Sequence, residues 1–267
     1  PVMLLNGRIA LPAPGQPSTH ILKPPIAGLP GTTENEALAM RLAAALGLPV
    51  AQVEPRRTQD RPYLVVTRYD REVGGDGGVR RLHQEDFCQA LGVAPERKYA
   101  SEGGPTFRDG FDLVRRACGA PAPALLRLVD AAIFNVLVGN ADAHGKNFSL
   151  LYRPSGIELA PLYDLLCTAA FPGVHDKFAM KIAKRSTLEA FEPDTWAAFA
   201  REVGLGAPFV RRRARELSEA ALRALAPVAA EIAAAGFAGE PLDRAVGIIA
   251  ARATTMARLT EKPSAKR

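Results

Sequence analysis

"LVGNADAHGKNFSLLY", residues 137–152, decides how this chain is read. It sets an aspartate, a histidine, a lysine and two asparagines between the apolar run "LVDAAIFNVLVG" and the alternating segment "FSLLYRPSGIELAPLYD". Polar groups this dense between two core-forming segments make either a plain turn or an active-site loop. Asp142 is followed by four residues and then Asn147, and a second acid, Asp164, stands in "PLYDLL" beyond a strand pair. D-x-x-x-x-N with a later aspartate is the spacing of a phosphoryl-transfer catalytic loop. One carboxylate must face an acceptor hydroxyl and take its proton. An amide oxygen and a second carboxylate must hold Mg²⁺ against nucleotide phosphates, since a hard cation takes oxygen ligands.

The same chemistry needs a cation on the phosphates, usually a strand lysine. Lys23 ends the β-type run "HILK", stopped by Pro24 and Pro25, and precedes a helix that carries acids. Glu36 on that helix is placed to pair with it, with Glu34 as the alternative. Adenine is expected where two lobes join, against the backbone of "VVTRYD". Taken singly, each piece is bland: Lys23 reads as a surface lysine, Asp164 as a cap for "LLCTAA", His144 as a turn histidine. The order discriminates: strand lysine, acidic helix, lobe joint, polar loop, hairpin, second acid. No Gly-x-Ser-x-Gly, H-E-x-x-H or cysteine–histidine pairing points to a rival chemistry.

Patterning along the chain predicts an α+β organisation. An Asn6-Gly7 hairpin signal opens it, and "TTENEALAMRLAAALGL" reads as a helix capped by Thr32 or Thr33 and ended by Gly47. "AQVEPRRTQDRPYLVVTRYDRE" reads as two strands around a turn, and "VGGDGGV" as a glycine loop. Beyond it helices dominate: "HQEDFCQALG", "FDLVRRACG", the long "APALLRLVDAAIFNVLVGN", and stretches near 193–204, 207–235 and 240–259, with the strand pair "FSLLYR" and "GIELAP" between. A strand-rich lobe over 1–75 and a mostly helical lobe over 76–267 are expected, with the joint within 68–80.

With 267 residues the chain can bury a sizeable core, and 48% hydrophobic with 23% charged residues is ordinary for a globular protein. No apolar run reaches the roughly 18–20 residues of a membrane span, so no membrane partner is expected. Three distant cysteines, Cys88, Cys118 and Cys167, without C-x-x-C spacing, support neither a disulfide framework nor a zinc site and favour a cytoplasmic setting. The net charge of +6 is concentrated in "RRRAR" at 211–215 and "EKPSAKR" at the end. No aromatics are interleaved with those arginines, so a solvated helix face is preferred over a nucleic-acid patch. The opening "PVMLLNGR" lacks an initiator methionine and already reads as a strand, so an upstream portion is expected.

Eight segments resemble the HipA family of serine/threonine kinases, the toxins of HipA–HipB-type toxin–antitoxin systems. They are "STHILKPP", "ENEALAMRLAAALGLPV", "RYDR", "RLHQEDFCQALGVAPERKY", "EGGP", "GNADAHGKNFSLLY", "LAPLYDLLCTA" and "AMKI", together spanning about 17–184. The resemblance implies a two-lobed protein-kinase-like fold that uses ATP and Mg²⁺. It makes Asp142 the general base, Asn147 and Asp164 the magnesium ligands, and Lys23 the phosphate-contacting lysine. Thr67, Arg68 and Tyr69 correspond to the hinge, where the family has a glutamate and a phenylalanine in place of Thr67 and Tyr69. His144, Gly145, Lys146, Asn147 and Tyr163 are implied beside the nucleotide. An upstream glycine-rich phosphate loop with an autophosphorylated serine, and a small N-terminal subdomain, are also implied. The expected partners are a small helix-turn-helix antitoxin of HipB type, operator DNA mainly through that antitoxin, and a protein substrate such as an aminoacyl-tRNA synthetase. The rival readings are a small-molecule kinase of the same fold and a catalytically impaired kinase-like binding module.

Overall fold

The computed structural model describes residues 1–5, 7–75 and 78–261. Asn6 of the expected opening turn, Asp76 and Gly77 of the glycine loop, and 262–267 of the basic tail lie outside the described residues. Strands β1 (Met3–Leu5) and β2 (Arg8–Ala10) form a hairpin that leads to β3 (His20–Lys23). Strands β4 (Val53–Thr58) and β5 (Arg61–Thr67) are joined by Gln59 and Asp60, both at positive φ (46° and 63°). That is the mirror-image turn whose twist matches a two-residue hairpin. The sheet order is β3-β5-β4, so Lys23 lies on an edge strand directly opposite Leu64.

Helix α1 (Thr32–Ala45) packs on β4 and β5 from one side and meets the later helices on the other. The expected threonine cap is not there. Gly31 occupies the N-cap at φ 82°, and the Thr32 hydroxyl instead accepts the Ile26 N–H at 3.1 Å. A Cβ at Gly31 would come within 2.2 Å of Pro241 Cβ, so only glycine fits both the left-handed turn and the close approach. Gly47 ends the helix as expected: at φ 78° it lets its own N–H reach Ala44 O and the Leu48 N–H reach Ala43 O.

Strands β6 (Arg71–Val73) and β7 (Val79–Arg81) form the next hairpin, which straddles residue 75. The "HQEDFCQALG" segment departs from the sequence reading. His83–Asp86 is a strand, β8, and only Phe87–Ala90 is helical, as α2. Asp86 stops the strand and caps the helix: its carboxylate accepts the Gln89 N–H, and Gln89 Oε1 accepts the Asp86 N–H, both at 2.9 Å. Strand β8 then pairs with β9 (Ser149–Arg153), which pairs with β10 (Gly156–Leu159). The expected strand pair is therefore a three-stranded sheet.

The helical part comprises α3 (Phe107–Ala117), α4 (Pro121–Val138), α5 (Thr195–Glu202), α6 (Ala207–Ile232) and α7 (Glu240–Thr260). Thr106 and Asp109 close a reciprocal cap on α3. Helix α4 is the centre of the core, with Leu128, Ile133 and Phe134 fully enclosed, and Leu38 and Leu42 of α1 join the same cluster. Two helical segments, α4 and the stretch Ala207–Phe237, are long and apolar enough by length and composition to cross a membrane, contrary to the sequence reading. In this fold α4 is mostly buried against other elements of the chain. The arginines at 211–215 lie on α6. Arg213 holds Asp130 of α4 through two bonds of 2.6 and 2.9 Å, and Arg212 and Arg215 pair with Glu216 and Glu219. Cys88, Cys118 and Cys167 are all free and buried.

One buried residue ties the lobes near the polar loop. Asn35 donates to Cys167 O at 3.0 Å and accepts the Cys167 N–H at 2.7 Å. Asn35→Ala strands two buried backbone groups, so it should lower unfolding stability by about 2–4 kcal/mol, measured by urea denaturation.

Candidate active site

The polar loop is built outward from the end of α4. Gly139 ends that helix at φ 73°, and the Asn140 N–H turns back to Asn135 O. The Asn140 side chain donates to Asn135 Oδ1 at 2.8 Å and accepts the Asp142 N–H at 3.1 Å. Thr168 fastens the loop to the segment that follows Asp164: its hydroxyl donates to Gly139 O at 3.0 Å and accepts the Ala141 N–H at 2.7 Å. Residues Gly145–Asn147 make one 3₁₀ turn before β9. A Cβ on Gly145 would meet Pro105 at 2.8 Å and Cys88 Sγ at 3.0 Å, so the turn passes where no side chain fits.

This architecture brings together residues far apart in the chain. Lys23 Nζ lies 2.6 Å from Glu36 Oε1 and 2.6 Å from Asp164 Oδ1. Asn147 Nδ2 donates to the other Asp164 oxygen at 3.1 Å. Of the two acids open to Lys23, Glu36 is the partner, while Glu34 faces Arg57 at 3.7 Å. Asp164 sits at φ 58°, a left-handed conformation that only a few non-glycine residues adopt, so it is not the start of a helix. The Asn147 amide oxygen accepts the His144 N–H at 3.1 Å, so its amide nitrogen is the face it turns to Asp164.

Charge in this cluster is finely balanced. Burial pushes the Glu36 carboxyl up to about 7, with repulsion from Asp164 adding to the rise and Lys23 opposing it. Burial also works against the Lys23 ammonium, but Glu36 and Asp164 outweigh it and hold its pKa above the ordinary value. A cavity of about 380 Å³ opens beside the cluster, lined by Val66, Arg68, Tyr69, Lys146, Tyr163 and Asp164 among others. A second, of about 530 Å³, lies on the α1 side and shares Lys23 and Asp164 with it. A larger cavity of about 700 Å³ lies around His20, Arg41 and Gln52 and takes in only Thr67 of the expected residues. Lys23, Glu36 and Asp164 face the two smaller ones, whereas Asp142, His144 and Asn147 line none of these three.

The remaining expected residues are held in different ways. Tyr69 and Tyr163 stack at 5.5 Å, and Tyr163 anchors the loop by donating to Lys146 O at 2.7 Å. Lys146 is paired with Asp86 at 2.8 Å. At the expected hinge the Thr67 and Arg68 N–H groups are already used, by Gln52 O and Thr19 O, and the Arg68 guanidinium grips Asp70. Those two donors are therefore withheld from an adenine ring. His144 is buried, its pKa lowered mainly by that burial, and its Nε2 stands 3.9 Å from Asp142 Oδ2.

Asp142 projects into the open, and its Oδ1 accepts the Tyr99 hydroxyl at 2.7 Å. Tyr99 is one of the residues that sequence reasoning missed, with Gln84, Asp86, Gln89 and Ser149 of the cavity wall. For Asp86 and Gln89 a signal existed, the D-x-x-Q capping box; for Tyr99 there was none. Among the described residues no group of three or more His, Cys, Asp or Glu side chains is arranged to hold a metal. One carboxylate and one amide suit Mg²⁺ nonetheless, because that ion keeps waters and phosphate oxygens as most of its ligands.

The HipA-like C-terminal domain model matches residues 3–225. The chain belongs to that family. It is 61% identical over 228 residues to "Putative kinase Y4mE" of Sinorhizobium fredii, covering 85% of this chain and 54% of that protein. It is 35% identical over 206 residues to "Serine/threonine-protein kinase toxin HipA" of Shewanella oneidensis, covering 72% and 46%. The chain thus spans about half the length of these curated relatives. The Shewanella oneidensis HipA structure, solved with HipB and its operator DNA, covers 97% of this chain and 62% of its own at 28% identity, with a TM-score of 0.83. The Helicobacter pylori kinase CtkA shares the fold alone, at 12% identity and a TM-score of 0.57, over 97% and 94% of the two chains. The architecture is therefore the two-lobed, protein-kinase-like α+β fold expected from the sequence.

The Glu36 shift predicts a pH signature. A carboxyl whose pKa is about 7 folded and 4.5 unfolded holds its proton more tightly when folded, so its contribution is fully present below about pH 4.5 and lost as pH rises through 7. That span corresponds to roughly 3 kcal/mol at most. In chelator, the difference in melting temperature between Glu36→Gln and the parent should therefore change across this window and stay flat above about pH 8.

Proposed function

We propose that this chain carries the catalytic machinery of a HipA-type kinase that transfers the γ-phosphate of ATP to a serine or threonine of a protein. The observation that carries this reading is the Lys23 ammonium held at 2.6 Å by both Glu36 and Asp164, with Asn147 on the same carboxylate, beside the cavity of about 380 Å³. In this reading Lys23 steadies the phosphates, and Glu36 keeps the lysine extended toward them. Asp164 and Asn147 would hold Mg²⁺, which would supply neutralisation of charge on the phosphate oxygens. To offer its amide oxygen there, Asn147 would turn the amide that now accepts the His144 N–H. Asp142 takes the acceptor hydroxyl's proton as the new O–P bond forms and the bond to ADP breaks. His144, neutral through burial, and Lys146, paired with Asp86, shape the loop beside the nucleotide. Gly145 gives the turn its clearance, and Tyr163 pins it. Tyr69 is positioned to pack on the base, with Thr67 and Arg68 framing it.

Kinship with a toxin solved alongside HipB and operator DNA supports a helix-turn-helix antitoxin as partner, with DNA reached mainly through it, in the cytoplasm. We take 1–75 as the nucleotide lobe and 76–267 as the helical lobe. An aminoacyl-tRNA synthetase is the substrate class the family resemblance favours, with growth arrest as the outcome.

Calorimetry of the full-length protein with Mg-ATP should register binding, and its absence would end the kinase reading. Asp142→Ala should leave that binding nearly intact while lowering phosphoryl transfer by about 10²–10⁴. Asp164→Ala should instead weaken Mg-ATP binding by at least about tenfold. Parental transfer or growth toxicity in Asp142→Ala would show the loop to be misassigned.

A further inference from the structure

The segment 94–105, "APERKYASEGGP", crosses the polar loop, and its structure is unusually well tied for a stretch rich in glycine, proline and charge. It makes two short 3₁₀ turns, Pro95–Arg97 and Ala100–Glu102. The Gly145 N–H donates to Lys98 O at 3.4 Å, and the Ala100 N–H donates to Ala179 O at 3.3 Å. Gly104 folds back so that its N–H reaches Tyr99 O at 2.9 Å, and a Cβ there would lie 2.3 Å from Arg97 O. Pro105 fills the space that Gly145 leaves.

Between these fastenings stands Tyr99. Its ring meets the buried His144 imidazole edge-on at 5.2 Å, and the Lys98 ammonium lies 5.0 Å from the ring centre. Its hydroxyl donates to Asp142 Oδ1 at 2.7 Å. Two explanations compete for a hydroxyl on this carboxylate. It could occupy the acceptor's place and have to leave, or it could hold the carboxylate while the second oxygen works. The fastenings favour the second, because leaving would break the edge-on contact with His144 and pull against backbone bonds on both sides of Tyr99. Oδ2 is the oxygen that Tyr99 does not take, with His144 Nε2 3.9 Å away.

We infer that Tyr99 is a positioning residue: it fixes the Asp142 carboxylate through Oδ1 so that Oδ2 is presented to the acceptor hydroxyl. This rests on Asp142 being the base, as argued above. The phenol is suited to the task because burial, with its hydrogen bond to the Asp142 carboxylate adding to it, pushes its pKa up to about 12. It therefore stays protonated and remains a donor throughout the neutral range. A carboxylate on an open loop otherwise samples several rotamers, and a base displaced by even an ångström loses much of its effect.

The test uses full-length protein and steady-state ADP release from Mg-ATP, with water as the acceptor. Tyr99→Phe keeps the ring against His144 and Lys98 and removes only the hydroxyl. It should lower kcat about tenfold or more, the worth of a hydrogen bond to a charged group, while KM for ATP stays within about twofold. In an Asp142→Ala background the same change should have no further effect, since its target is gone. A Tyr99→Phe enzyme with parental or raised kcat, beside an inactive Asp142→Ala, overturns this inference and leaves the kinase reading standing. An additional loss in the Asp142→Ala background also overturns it, by exposing a merely structural role. Parental turnover in Asp142→Ala removes the base assignment and this inference together.

Discussion

The candidate site is drawn together by one half-buried ammonium shared by two carboxylates. Lys23 comes from an edge strand, Glu36 from the helix that follows it, and Asp164 from beyond the second sheet, so the contact joins two neighbouring elements to a third that is distant in sequence. Removing a lysine from water is costly, and the two acids offset that cost only if both are within bonding reach. One positive charge between two negative ones leaves a local surplus of negative charge. Burial, with Asp164 adding to it, explains why Glu36, the more buried acid, is the one driven toward its neutral form.

The rest of the architecture makes that contact possible. Pro24 and Pro25 end β3 just past Lys23, fixing where the lysine emerges. Gly31 starts α1 in a turn tight enough to touch Pro241, which sets the helix against the opposite lobe and points Glu36 back at the strand. The left-handed backbone at Asp164 turns its carboxylate toward Lys23 rather than into a helix that the sequence seemed to allow. Thr168 and Asn140 then tie the aspartate's segment and the polar loop to the same end of α4. Asp164 and Asp142 therefore stand on linked scaffolding.

Much of this could be read before the fold was known, and the reasons differ by residue. Lys23, Asn147 and Asp164 could be picked out because phosphoryl-transfer chemistry prescribes both residue type and order, and Lys23 also sits next to a Pro-Pro stop. The choice between Glu34 and Glu36 was closed to sequence reasoning, since the two lie within a single helical turn and only the packing of α1 decides which faces the strand. The strand His83–Asp86 was missed because "HQEDFCQALG" has helix-favouring composition, while its conformation is set by pairing with a strand more than sixty residues later. The threonine cap failed for a similar reason: contact with Pro241 favours the glycine before it. Tyr99 was invisible because a lone tyrosine among prolines, glycines and charges acquires meaning only when its segment is laid across the polar loop.

Asn35 and Glu36 are neighbours on α1, yet they grip different things. One holds the backbone at Cys167, and the other holds Lys23. Cys167 adjoins Thr168, which clamps the loop bearing Asp142. A force that tilted α1 would thus be felt at the lysine, at the segment after Asp164 and at the loop bearing Asp142 at once. The helix is a lever with Lys23 and the Cys167 backbone on one side, and its far side rests on α6 and α7. Any binding event that shifted those two helices would have a direct mechanical route to that lysine and that backbone.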